Sequence, residues 1–222
     1  MNTFSASLYN SLPTINVANV VFANRDKVLR DLAELFKDHS QFGVCLVHRH
    51  CKLEAGERMV AEGNVSQPER VKDSECYPER WLATGEAYEF SREQTVSPSP
   101  ELLDKFQHIV GNINVLGIFY IRDKGVDGVA LERTEGRRNI VEIVPRNTPR
   151  RSLTTAWLFG SSTVNDVHTV LIHECSACTV ARNTNSHIEN VDKMDGLERR
   201  RDLGHEIPWL RDDGVGADVR IV

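Results

Sequence analysis

Val28, Leu29, Leu32, Leu35 and Phe36 recur at the spacing of one helix face, and predict an amphipathic helix over 25–38 with Asn24 as its N-cap. The apolar run from Phe42 to His50 is β-type and dense at its start, so its first part is expected to be buried on both faces. Glu54-Ala55-Gly56-Glu57 turns the chain, and Arg58 to Gly63 is expected to return as a hairpin partner. The stretch from Val65 to Arg80 is polar, holds Pro68 and Pro78, and reads as a long loop. Trp81 to Ser91 then alternates as a strand. Residues 1–23 show no clear period and read as an arm or an edge segment.

The second half repeats the scheme. Ser99 is placed to cap a helix that starts at Pro100, and Leu102, Leu103, Phe106, Ile109 and Val110 form its apolar face. Val115 to Arg122 is a second apolar strand, followed by strands at Val129–Arg133, Asn139–Val144, Thr154–Phe159 and Val167–His173. From Glu189 onward Gly, Asp and Arg dominate, which predicts an irregular tail over 189–222. Helices mixed with many strands predict an α+β, strand-rich single domain over 1–222.

A shift of 74 residues lays Val28-to-Val47 over Leu102-to-Ile121 without a gap: Leu32 meets Phe106, Phe36 meets Val110 and Gly43 meets Gly117. The match suggests two helix-then-β-meander modules, 24–96 and 97–188, with a site between them. The first strand ends in His48-Arg49-His50 where its counterpart ends in Arg122-Asp123-Lys124. A shared shape does not require those histidines, so another demand put them there.

Composition narrows the class. Hydrophobic residues at 40% and charged residues at 27% are ordinary for a packed protein. A net charge of −5 argues against nucleic acid as a partner, since phosphate binding needs concentrated Lys and Arg. No run approaches the roughly 18–20 apolar residues of a membrane span, and the start lacks a basic signal region. Five cysteines without a signal fit a reducing, cytoplasmic setting better than a disulfide framework.

In that setting the His/Cys clusters become candidate chemistry. Alternate strand residues share a face, so His48 and His50 project together. His173 and Cys175 have the same spacing at a later strand end, Cys178 follows as a Cys-x-x-Cys knuckle, and His187 lies in the polar loop beyond. Imidazoles with thiolates select zinc, copper(I) or iron, and Zn2+ is the expected ion. Candidate metal ligands are therefore His48, His50, His173, Cys175, Cys178 and His187, with Cys51 a seventh donor nearby. Glu174 is the adjacent carboxylate for proton transfer, and Glu54 is expected to face solvent in its turn.

A Cys-x-x-Cys also occurs in zinc nucleoside deaminases, but Glu174 precedes Cys175 where they carry proline, and His50 stands where their catalytic Glu would be. Chain length, His48-Arg49-His50-Cys51 and the Cys175/Cys178/His187 group resemble small fungal zinc proteins of specialised metabolism, of the cyclopenase type. The resemblance implies a zinc-dependent lyase or hydrolase acting on a small organic molecule. Two other readings stand beside it: a non-catalytic protein with a structural Cys/His zinc site, and a thiol oxidoreductase using Cys175 and Cys178. Oligomeric state is not legible in the sequence.

Overall fold

The computed structural model describes residues 4–22, 25–122, 129–145 and 153–159, together with the backbone of 169–175. Asn24, Cys178, His187 and the 189–222 segment lie outside the described residues.

The N-terminal region is helical, a correction to the arm expected from its sequence. Helix α1 (Ala6–Ser11) starts at Ser5, whose hydroxyl accepts from the Leu8 amide at 3.2 Å, and α2 (Ile15–Val21) starts at Thr14, which accepts from Val17 at 3.4 Å. Elements of 6 and 7 residues are too short to display a helical period, so only their caps could have announced them.

Helices α3 (Arg25–Phe36) and α4 (Pro100–Val110) fall where the apolar spacing places them. Ser99 caps α4 by accepting from the Leu102 amide at 3.2 Å, and Gly111 ends the helix at φ +55°. The two helices pack through Phe36 and Phe106, edge-on at 6.0 Å. Their buried faces cover Val44 and Leu46 of β1 (Phe42–Leu46) and Leu116 and Ile118 of β6 (Leu116–Tyr120). Each fully buried side chain of this layer contributes about 1.5–3 kcal/mol, so the layer is an apolar core in its own right. Among the described residues, no helix is long and apolar enough to cross a membrane.

The remaining strands are β2 (Arg58–Glu62), β3 (Val65–Glu69), β4 (Tyr77–Leu82), β5 (Ala87–Ser91), β7 (Val129–Glu135), β8 (Arg138–Val144), β9 (Leu153–Phe159) and β10 (Thr169–Cys175). The strands curl into a mixed sheet whose pairings run as a closed ring, β1-β6-β4-β5-β2-β3-β8-β7-β10-β9. Two neighbours, β2 with β5 and β7 with β10, are parallel; the other pairings are antiparallel.

Three expectations for the first half are revised. β2 does not return on β1; it pairs with β3 and β5. The segment expected as a loop holds β3, a short 3-10 turn at Asp73–Glu75 and most of β4. Pro68 lies past Ser66, where β3 stops pairing with β8, and Pro78 lies before Arg80, where β4 starts pairing with β6. Both prolines thus occupy stretches paired on one side only, where a missing N–H is tolerated. Finally, Trp81 to Ser91 is not one strand, because the chain reverses at Gly85 (φ +86°) between β4 and β5.

β1 is buried along its whole length because helices cover one face and the ring encloses the other. Gly117 serves that closure. A Cβ there would stand 2.6 Å from the Trp81 carbonyl oxygen and 2.8 Å from Val47 Cγ2. Gly117→Ala is therefore expected to cost about 1–3 kcal/mol through backbone displacement, read as a lowered midpoint in thermal unfolding. A midpoint equal to that of the wild type would show that β4 and β6 can separate freely.

Candidate metal centre

After Leu46 the chain leaves β1 but keeps its direction, with the Val47 amide donating to the Val115 carbonyl at 2.8 Å. Arg49 turns toward the N-terminal helices, where its Nη1 donates to the Asn10 and Leu12 carbonyls, each at 2.9 Å. Its neighbours take the opposite side, so His48 and His50 stand together with ring centroids 4.7 Å apart. Asn10 fastens the next stretch by a double hydrogen bond with Leu53, and the His50 amide donates to the Tyr9 hydroxyl at 3.0 Å. Burial pushes the Tyr9 hydroxyl well above its ordinary pKa, so it remains a neutral partner. The two short N-terminal helices thus brace the segment that carries both histidines.

From β7, Glu132 joins them. Its burial follows from strand alternation: Ala130, Glu132 and Thr134 are buried while Arg133 and Glu135 are exposed. His48, His50 and Glu132 are 2%, 0% and 0% exposed, and one ligand atom from each lies within 4.8 Å of the others. His48 Nδ1 lies 2.8 Å from the Leu46 carbonyl, which can only accept, so this nitrogen carries the hydrogen and Nε2 keeps the lone pair. His50 Nε2 lies 3.4 Å from Asn139 Nδ2 and 3.6 Å from Glu89 Oε1. Two imidazoles beside a carboxylate could hold a divalent ion.

A second layer of charge surrounds the group. Arg80 places Nε 3.1 Å from Glu89 Oε2 and Nη2 3.3 Å from Glu132 Oε1, so one guanidinium holds two buried carboxylates. Burial works against the Arg80 charge, but Glu89 and Glu132 outweigh it and hold its pKa well above the ordinary value. Burial lifts the Glu89 carboxyl to about 7, opposed by Arg80 and reinforced by Glu132. Glu89 reaches the interior through a bulge: Arg80 pairs with Glu89 but Trp81 with Ala87, which leaves Tyr88 as the extra residue.

The loop beyond His50 is tied to the turn after β7. Arg137 donates to Glu57 through Nη1 at 3.2 Å and to the Lys52 carbonyl at 2.7 Å. That hydrogen bond holds the Glu57 carboxyl below its ordinary pKa. Glu54 is exposed and pairs with Arg70 at 2.8 Å, a solvent-facing turn residue.

The other candidates divide by position. On β10, Cys175 is the register partner of Glu132 and His173 that of Ala130, while Glu174 pairs with Leu131, one step out of phase with Glu132. Cys178 and His187 fall outside the described residues. Cys45 and Cys51 are buried, and burial pushes both thiols up to about 11, so they are neutral thiols. Cys45 Sγ lies 3.3 Å from the Tyr88 hydroxyl.

Glu132, Glu89, Arg80 and Asn139 were not singled out by sequence reasoning. Each sits in a strand whose polar residues ordinarily face solvent, and no local spacing links them to His48 and His50. Comparison of the chain with family models, with curated proteins and with solved structures finds no match.

Proposed function

We propose that this protein is a metal-dependent enzyme acting on a small organic substrate as a lyase or hydrolase, with an ion held by His48, His50 and Glu132. The carrying observation is that convergence: three ligand atoms within 4.8 Å of one another on fully buried side chains. Interior charges cost stability, and the apolar layer under α3 and α4 packs without them, so a purely structural metal has little to do here. Three protein ligands leave a coordination position where the ion can polarise a carbonyl or activate a water. Zinc remains our first choice, in keeping with the resemblance to small fungal zinc proteins of the cyclopenase type. Cys175, opposite Glu132 in register, supports keeping the later cluster of His173, Cys175, Cys178 and His187 near the same centre.

The donor set favours a second reading. Two imidazoles and one carboxylate, with no thiolate among them, also suit non-haem iron(II) and dioxygen chemistry. Metal analysis separates the readings: zinc at about one equivalent supports the first and iron the second. Less than about half an equivalent of any transition metal, with no uptake on reconstitution, removes both.

The two-module organisation belongs to the same proposal. Exchanging β1–β5 with β6–β10 leaves the ring order unchanged, and it exchanges the two parallel pairs. Val44 pairs with Ile118, its counterpart in the 74-residue shift. These features support two similar halves, in which histidines follow β1 where Arg122 follows its counterpart β6.

A further inference from the structure

We infer that the contact of Arg137 with Glu57 is a latch over the buried centre, and that entry of an ion or substrate requires it to open. The inference rests on the metal reading above. His48, His50 and Glu132 are at most 2% exposed, so nothing reaches them while the fold stays closed. One wall must part. The loop over 51–57, which leads from His50 to β2, has two attachments of unlike strength.

The first is to α1. Asn10 clasps Leu53 twice, its Nδ2 donating to the carbonyl and its Oδ1 accepting from the amide, each at 2.9 Å. The Tyr9 hydroxyl accepts from the His50 amide, and Cys51 and Leu53 pack with Tyr9 and Leu12 in one apolar cluster. Opening on this side breaks hydrogen bonds and apolar packing together.

The second attachment, to the β7–β8 turn, is made by charge. Both terminal nitrogens of Arg137 meet the Glu57 carboxylate, and Nη2 also donates to the Lys52 carbonyl at 2.7 Å. Glu57 is itself folded into the loop, where Oε2 accepts from the Glu54 amide at 2.7 Å. The fork defines the closed position. Its two halves differ, however: the Glu57 side chain is 10% exposed and that of Arg137 is 43% exposed. A guanidinium so wetted exchanges the carboxylate for water at little cost. A Cβ on Gly56 or on Gly136 would meet nothing within 4 Å, so both turn tips have room to move. Arg137 stands two residues before Asn139, which borders His50, so release of the latch loosens the wall beside that histidine.

The test follows cobalt(II) on the full chain by visible absorption: uptake by stopped flow, and release into excess EDTA. A latch predicts that Arg137→Ala and Glu57→Gln speed uptake and release alike by about 5–30-fold, the rise in open population expected from losing a charged, hydrogen-bonded pair. The dissociation constant should stay within about twofold, since the same opening serves both directions. The double variant should be no faster than Arg137→Ala, because both changes remove one contact. Arg70→Ala breaks the exposed pair with Glu54 on the same loop and should leave both rates unchanged. Where Arg137→Ala fails to fold, Arg137→Lys, which lacks the fork, should show a smaller acceleration. Wild-type rates in Glu57→Gln and in the folded Arg137 variants would overturn the latch and leave the metal reading intact. Faster release with unchanged uptake would make the pair a determinant of affinity and rule the latch out. Equal acceleration in Phe106→Leu, whose cavity lies in a cluster separate from that of Cys51 and Leu53, would mean exchange through general unfolding and also dispose of it. No cobalt uptake by the wild type would remove the metal reading, and the latch with it.

Discussion

His48→Ala is expected to lower the affinity for the bound ion by well over about 100-fold, because losing even an outer partner of a ligand costs roughly 10–100-fold. The Nδ1–H of His48 is committed to the Leu46 carbonyl, so no rotation of a neighbour replaces its Nε2. The readout is the difference between metal-loaded and chelated protein in thermal unfolding. Metal at a hundred times its Kd adds about 2.7 kcal/mol, which for a chain of this size is about 5–10 °C. That rise should vanish in His48→Ala, while the chelated variant should melt lower only by what a small cavity costs. Should the variant keep the metal-induced rise, His48 is a packing residue and the ligand set is wrong.

The larger effect on stability is expected at Arg80. Arg80→Met keeps length and apolar bulk but strands Glu89 and Glu132 without their shared partner. Removing one member of a buried ionic group costs about 3–5 kcal/mol. The sign of the pH dependence follows from Glu89. Its folded pKa, about 7, lies above the ordinary 4.5. As pH rises from 4.5, the unfolded chain gives up its proton while the folded chain retains it, so Glu89 subtracts stability progressively until about pH 7. Without Arg80 the folded pKa moves higher and the loss continues to higher pH. Chelated Arg80→Met should therefore recover stability on acidification from pH 8 toward 5 more steeply than the wild type does. Parallel unfolding curves across that range would show that the carboxylates find another cation.

Local chemistry was readable from the chain where it was self-contained. Ser99 with Pro100 marked the start of α4, and the spacing of Leu102, Phe106 and Val110 marked its buried face. The density of Phe42 to Leu46 announced a strand covered on both sides. What escaped was everything decided by pairing partners. Pro68 and Pro78 argue for loops until one sees that each lies in a part of its strand with a single neighbour. Glu132 reads as a solvent-facing residue until the ring closes and turns its face inward. The histidine pair was legible from its alternation, but its carboxylate partners come from β5 and β7. Only the sheet topology brings these strands to the end of β1.

The junction between β3 and β8 is short, joined in register only at Val65 with Ile140 and Ser66 with Asn139. By contrast, β7 and β8 pair from Val129 with Val144 through to Glu135 with Arg138. Amide hydrogen exchange should therefore be faster across the β3–β8 junction than along β7–β8, since a brief ladder parts with less cooperative loss. Asn139 occupies this seam and borders His50, so the wall that shields the histidine from water includes one of the ring's two briefest ladders.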